Sequence, residues 1–245
     1  MYNYEGVKKY WQEKAEKSDS PCHYNNKWQD KYAFEIRTSA FKRNDFKGLK
    51  TIVDIGCGVG DYTSALSRII DDGAKIYGFD FPFNIEIARR KHGSKSKVEF
   101  LEGPVPSPAA EEAVKNADAV VMTTVYVHMP KESREALLNY FQRMKKGAQI
   151  FLLEYFPEEV PEFQKGLGYK EVETSKELVE RFGNHNLKLQ EVRPVNFIDS
   201  FLFHHLGANF VSYFLTKAGE WFTFLSGSKK SKYKLLIFSN ENSIS

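Results

Sequence analysis

The sequence is poor in features that would assign it to a specialised class. It has two cysteines, Cys22 and Cys57, too few for a disulfide framework. It contains no run of 18 apolar residues, which excludes a membrane-crossing helix of the usual kind. The opening MYNYEGVKKYWQEK lacks a signal peptide's apolar stretch, so a cytoplasmic protein is expected. Net charge is small as well: +3 over 245 residues steers polyanions weakly, and no nucleic-acid module stands out. Internal repeats and low-complexity segments are absent. Cys/Asp/Glu partners at metal-ligand spacing are also missing around the adjacent His204 and His205, so no metal site is expected.

Aromatic residues, in contrast, are plentiful, with 20 Phe and 13 Tyr making up most of a 15% share. The first fifty residues carry eleven Lys/Arg against seven Asp/Glu, an excess that a solvated surface explains as well as an anionic partner does.

From Lys50 onward, short apolar runs alternate with amphipathic ones. Strands are expected at 51–56, 75–80, 98–103, 117–125, 149–156, 187–195 and 233–240. Helices are expected at 61–72, 83–91, 108–116, 131–146 and near 174–183, with Ser107 capping the third and Gly147 ending the fourth. This alternation implies an α/β fold with a mostly parallel sheet covered on both faces. Residues 1–48 precede the rhythm as an N-terminal helical cap. Residues 49–245 form the main domain, interrupted by an insertion at 196–232.

The stretch IVDIGCGVGDYT, residues 52–63, carries three glycines in five positions between a strand and a helix. Ligands of doubly wound sheets sit beyond the C-terminal strand ends, where strand order reverses, and bare backbone lets a ligand approach closely. The spacing GxGxG is not the GxGxxG of a dinucleotide site, which argues against an oxidoreductase. Asp54, just before the turn, suits a cationic ligand. Asp80 ends the next strand, 20 residues past Gly60, where a carboxylate can accept both hydroxyls of a ribose. Ribose plus positive charge points to S-adenosyl-L-methionine.

VDIGCGVG, then YGFD, then ADAVVMTTVYVHMP resemble, in order and spacing, the class I S-adenosylmethionine-dependent methyltransferases, over roughly residues 50–156. The resemblance implies a Rossmann-like seven-stranded sheet with its last strand antiparallel. It implies cofactor contacts from Asp54, Gly56, Cys57, Gly58 and Gly60 at the turn, from Asp80 and Phe81, and from Gly103 after the third strand. Thr123 and Thr124 would stand where the fourth strand's end faces the transferable methyl. Where the family often has Gly-Asp-Ala to reach the adenine amino group, this chain has Gly103-Pro104-Val105, so another group must serve adenine.

For the acceptor side, His128 has two readings: a residue that holds its loop, or a general base with a pKa suited to neutral pH. Glu154 and Tyr155 point to the same rim as second-rank candidates. The segment 197–225 holds nine Phe, Tyr or Trp among 29 residues, and Phe210, Tyr213, Phe214 and Lys217 suit an amphipathic helix. A lid, a core extension or dimer face, and a peripheral membrane contact all fit it. A weaker similarity, to methyltransferases of natural-product and surface-glycan pathways, leads to methylation of oxygen or nitrogen on a small molecule or saccharide. RNA or protein methylation, leaning on Lys229, Lys230, Lys232 and Lys234, is the alternative, as is a non-catalytic cofactor-binding subunit.

Overall fold

The computed structural model describes residues 4–17, 27–156, 165, 173–195, 211, 213–217 and 233–242. The chain opens with helices α1 (Tyr4–Lys17) and α2 (Lys27–Ser39) and a short 3-10 turn at Arg43–Phe46. Then follow β1 (Thr51–Ile55), α3 (Asp61–Leu66), β2 (Lys75–Asp80), α4 (Pro82–His92), β3 (Val98–Glu102) and α5 (Pro108–Asn116). The second half runs β4 (Ala119–Thr123), α6 (Lys131–Gln142), β5 (Gln149–Tyr155), α7 (Ser175–Gly183), β6 (Leu187–Val195) and β7 (Tyr233–Asn240).

The strands form one seven-stranded sheet in the order β3-β2-β1-β4-β5-β7-β6. The pairs β1–β2, β2–β3, β1–β4 and β4–β5 are parallel, while β7 runs antiparallel to β5 and β6. The chain travels outward from β1 to β3, then returns to the other side of β1 as β4. The order therefore reverses between β1 and β4, directly beside the glycine turn. The Rossmann-like α/β architecture and the antiparallel last strand are as expected.

Alternation along buried strands sends side chains to two faces. On one face Val53, Val120, Met122, Ile150 and Leu152 pack beneath Val114 of α5, Leu137 and Phe141 of α6, and Phe182 of α7. On the other, Ile52, Val121, Phe151 and Leu153 meet Tyr32 and Ile36 of α2, Phe46, and Leu66 of α3. The cap helix α2 is thus part of the second layer. Cys57, Ile85, Ala88 and Phe100 close the β3 side.

Local chemistry explains several helix bounds. Ser107 Oγ accepts the Ala110 N–H and Pro108 opens α5. Thr174 and Glu177 form a reciprocal capping box on α7. Two helices are shorter than expected. α3 stops at Leu66 because the next amides turn back three residues, Arg68 to Ala65 and Ile69 to Leu66, while Ser67 Oγ donates to the Ser64 carbonyl. These contacts tighten the last turn and end the α-helical ladder. α6 stops at Gln142, where Arg143 N–H donates to Tyr140 O and the Asn240 side chain donates to Met144 O. No helix among the described residues is long and apolar enough to cross a membrane.

Candidate functional site

The turn after β1 is held mostly by backbone. The N–H groups of Gly56 and Cys57 both donate to Phe79 O of β2, at 2.8 and 3.1 Å. What crowds the glycines is chiefly the protein itself. A side chain on Gly56 would lie 2.5 Å from the Val125 methyls, across the reversal between β1 and β4. Gly60, at φ 83°, would meet the Phe100 ring at 2.7 Å. Gly58 differs: its φ is 55°, and a Cβ there would have nothing within 4 Å. The open side of the turn is at Gly58, and that is where a ligand can lie against bare backbone.

Asp80, at the tip of β2, aims its carboxylate at the same place. Oδ2 accepts the Gly58 N–H at 2.8 Å, and Oδ1 accepts from Phe81 N–H at 2.7 Å and Asn84 Nδ2 at 2.8 Å. A carboxylate offers about four acceptor sites, and three are used here. Burial raises its pKa, and these three donors work against the rise. Asn84, buried in the first turns of α4, has an Oδ1 without a hydrogen-bond partner among the described residues. Sequence reading passed over it, although its position four after Asp80, one helical turn on, was the available signal. The Phe81 ring stacks on Phe83 at 5.4 Å and 11°.

Asp54 is 2% exposed, and its Oδ2 accepts from Thr63 Oγ1 at 2.6 Å. Burial pushes its pKa up to about 7, so near neutral pH it is only partly charged. Its supply of negative charge to a cation is correspondingly weaker than the sequence suggested. Tyr62 and Thr63 are buried as well, with Tyr62 packed on Phe34 of α2 at 5.0 Å. Cys57 is a buried filler whose thiol pKa is pushed up by burial. Gly103 donates its N–H to Asp80 O at 3.1 Å, and a Cβ there would press on Ser107 Oγ at 3.0 Å and the Phe79 ring at 3.2 Å.

At the end of β4 the chain becomes strained. Thr123 is buried, with its Oγ1 unpartnered among the described residues. Thr124 takes φ 55°, a costly conformation for a β-branched residue, and its N–H donates to Leu153 O at 2.7 Å. A 3-10 turn, Tyr126–His128, follows. Glu154 of β5 holds it: Oε1 accepts the Val125 and Tyr126 N–H groups at 2.9 and 2.7 Å. Glu154 is fully buried, its Oε2 has no partner among the described residues, and burial raises its pKa to about 8. Burial thus favours its protonated form.

His128 lies under the N-terminal cap, its ring 5.6 Å from that of Trp11 on α1. Burial first, and then the Arg37 charge, push its pKa down to about 4. The expectation of a pKa near neutrality is therefore corrected: desolvation and a neighbouring cation both oppose the imidazolium. Arg37 went unnoticed in the sequence because one arginine in a charged helix gives no signal. It is buried on α2, and its Nη2 donates to Tyr233 Oη at 2.9 Å. His204, His205, Lys229, Lys230, Lys232 and most of the 196–232 insertion lie outside the described residues. Among those described, no group of three or more His, Cys, Asp or Glu could hold a metal ion.

At the sheet's reversal point the glycine turn thus meets the strand-tip acid at Gly58 and the fourth-strand exit at Gly56. A family model described as an O-methyltransferase domain matches residues 2–174. A demethylmenaquinone methyltransferase of Lactococcus lactis subsp. lactis is 31% identical over 122 residues, which is 48% of this chain and 47% of that protein. The mitochondrial ubiquinone biosynthesis O-methyltransferase of Schizosaccharomyces pombe is 29% identical over 125 residues, 48% of this chain and 42% of its own length. The chain spans about half the length of the curated relatives it matches. Human N-acetylserotonin methyltransferase in complex with SAM superposes with a TM-score of 0.55 at 16% identity, over 87% of this chain and 54% of that one. The [4+2]-cyclase SpnF gives 0.57 at 16% identity, over 86% and 82%. Likeness at that identity is one of fold.

Proposed function

The chain belongs to the O-methyltransferase domain family, and on that premise we propose that it moves a methyl group from S-adenosyl-L-methionine to an oxygen of a small-molecule acceptor. The observation that carries the reading is the pairing of Asp80 with Gly58. A carboxylate with acceptor capacity left over lies beside bare backbone with open space in front of it. These residues fit a ribose next to a flat or extended chain. When bound, the cofactor supplies an electrophilic methyl on a sulfonium.

In this reading Asp80 binds the ribose hydroxyls, and Gly56, Gly58 and Gly60 let the backbone reach the cofactor. Phe81 and Gly103 border the adenosyl part, and Thr123 and Thr124 border the reacting end. Asp54 and Cys57 support the turn from beneath. His128 faces the acceptor. At neutral pH it is unprotonated, and the low pKa makes it a weak base. Such a base suits an acceptor hydroxyl that ionises readily, such as a phenol or enol, and leaves much of the acceleration to positioning and water exclusion. Helix α1 shields that side through Trp11. The names of the curated relatives, which concern quinone biosynthesis, support a small-molecule acceptor.

Incubation with methyl-labelled cofactor and a bacterial metabolite extract tests the proposal. Label in a low-molecular-weight, solvent-extractable product is expected. Label retained on RNA or protein instead would replace this reading with the macromolecular one.

A further inference from the structure

The carboxylate of Asp80 is held by three donors, and the way they divide between its two oxygens decides how it can meet a ribose. Gly58 N–H reaches Oδ2 from the glycine turn, at 2.8 Å. Phe81 N–H reaches Oδ1 from the next peptide, at 2.7 Å, and Asn84 Nδ2 reaches the same oxygen from α4, at 2.8 Å. The backbone beneath is fixed too, since Asp80 O accepts the Gly103 N–H and Phe79 O accepts from Gly56 and Cys57. Each carboxylate oxygen offers about two lone-pair sites. Oδ1 therefore has both filled, and among the described residues Oδ2 keeps one.

Asn84 is the one side chain among these three donors. Pro82 opens α4, and the Asn84 and Ile85 N–H groups both donate to Phe81 O, at 3.0 and 3.1 Å. Helical side chains lean toward the N-terminus, which brings Asn84 back over the strand tip. Ile85 and Ala88 of the same helix are buried on the β3 side of the core, and they fix the rotation of α4 about its axis. The direction of the amide is settled as well. Turned over, its own oxygen would face the carboxylate, one acceptor against another.

We propose that Asn84 sets the cofactor selectivity of this site: by filling the second acceptor position on Asp80 Oδ1, it confines the ribose to a single hydroxyl bond, at Oδ2. The inference rests on the cofactor reading above and narrows it. A vicinal diol that meets a carboxylate through both oxygens needs a vacant position on each, and here Oδ1 has none. The other hydroxyl lies beside the carboxylate without a direct bond to it. Loss of the bonded hydroxyl is therefore costly and loss of its neighbour cheap. The site would bind adenosyl compounds that lack one particular ribose hydroxyl nearly as well as the complete nucleoside.

Titration calorimetry with S-adenosylhomocysteine and with its 2′-deoxy and 3′-deoxy analogues, on the unmodified protein and on Asn84→Ala, tests this. In the unmodified protein one analogue should bind about tenfold or more weakly than the parent compound, as loss of a hydrogen bond to a charged group implies, and the other should stay within about threefold. Asn84→Ala vacates one position on Oδ1, so both hydroxyls can bond there. Both analogues should then fall about tenfold below the parent compound. A general loss of packing in the variant would lower all three affinities together and leave their ratios unchanged. Equal penalties for the two analogues in the unmodified protein, or a one-sided penalty that survives in Asn84→Ala, would overturn the proposal while the cofactor reading stands. Failure of the parent compound to bind the unmodified protein would overturn that reading, and this proposal with it.

Discussion

Arg37 and Tyr233, 196 positions apart in sequence, meet through a hydrogen bond from Nη2 to the phenolic oxygen at 2.9 Å. The guanidinium also lies over the Tyr233 ring at 5.1 Å. One contact ties the N-terminal cap to the first residue of the last strand, and it fixes a buried positive charge near both His128 and Glu154.

That charge is one of two causes that depress His128, so its removal should raise the histidine pKa. In Arg37→Met, the His128 imidazole resonance should titrate above its value of about 4 in the unmodified protein, yet below 6.5 because burial remains. An NMR pH titration of the two proteins reads this. An unchanged midpoint would mean that burial alone sets it.

Glu154 makes the fold sensitive to pH. Its folded pKa, about 8, stands above the usual carboxylate value of 4.5. A raised acid contributes stability that is complete below pH 4.5 and lost as pH rises through about 8, because the unfolded chain releases its proton first. Asp54, raised to about 7, acts in the same direction. His128 acts oppositely: its folded pKa is depressed, so its contribution is present above 6.5 and lost as pH falls toward 4. Two groups outweigh one, and the thermal midpoint should fall between pH 5 and 8. Glu154→Gln keeps an oxygen for the Val125 and Tyr126 N–H groups but cannot ionise. Its midpoint, followed by circular dichroism, should drop less over that interval than that of the unmodified protein.

Gly58 and Gly60 separate binding from folding. Gly60→Ala puts a Cβ 2.7 Å from the Phe100 ring at a left-handed φ, which should cost on the order of 2–4 kcal/mol in urea unfolding. Gly58→Ala meets open space and carries only the left-handed penalty, about 1 kcal/mol. Its larger effect should be on S-adenosylhomocysteine affinity, since the new methyl occupies the open side of the turn.

Thr63 holds the Asp54 carboxyl at 2.6 Å, inside the second core layer. Thr63→Val removes the donor and leaves a buried acid unsatisfied. A loss of about 1–3 kcal/mol is expected by chemical denaturation, with Asp54 titrating higher than before.

Much of the fold was legible because it is written in local rules. β6 and β7 match the sequence boundaries residue for residue, as does α5 with its Ser107 cap and Pro108. The glycine turn and the strand-tip acid could be read from spacing, since the sheet's reversal places them together wherever a βαβ unit begins this way. What escaped was set by distant packing. The early end of α3 follows from hydrogen bonds that periodicity does not encode. The pKa of His128 depends on burial under Trp11 and on Arg37, ninety residues upstream. The expected helix over Phe210, Tyr213, Phe214 and Lys217 was read as one face, whereas Tyr213 and Lys217 point inward, Phe214 outward, and Phe210 lies outside the described residues.

The account depends on Asp80 and the bare backbone at Gly58 gripping an adenosyl group together. Titration calorimetry with S-adenosylhomocysteine, on the unmodified protein and on Asp80→Ala, measures that directly. The account predicts saturable one-to-one binding to the unmodified protein and a loss of roughly 100-fold or more in the variant, as expected for charge-assisted hydrogen bonds. Equal affinity in the two proteins, or no heat of binding in the unmodified one, would contradict it.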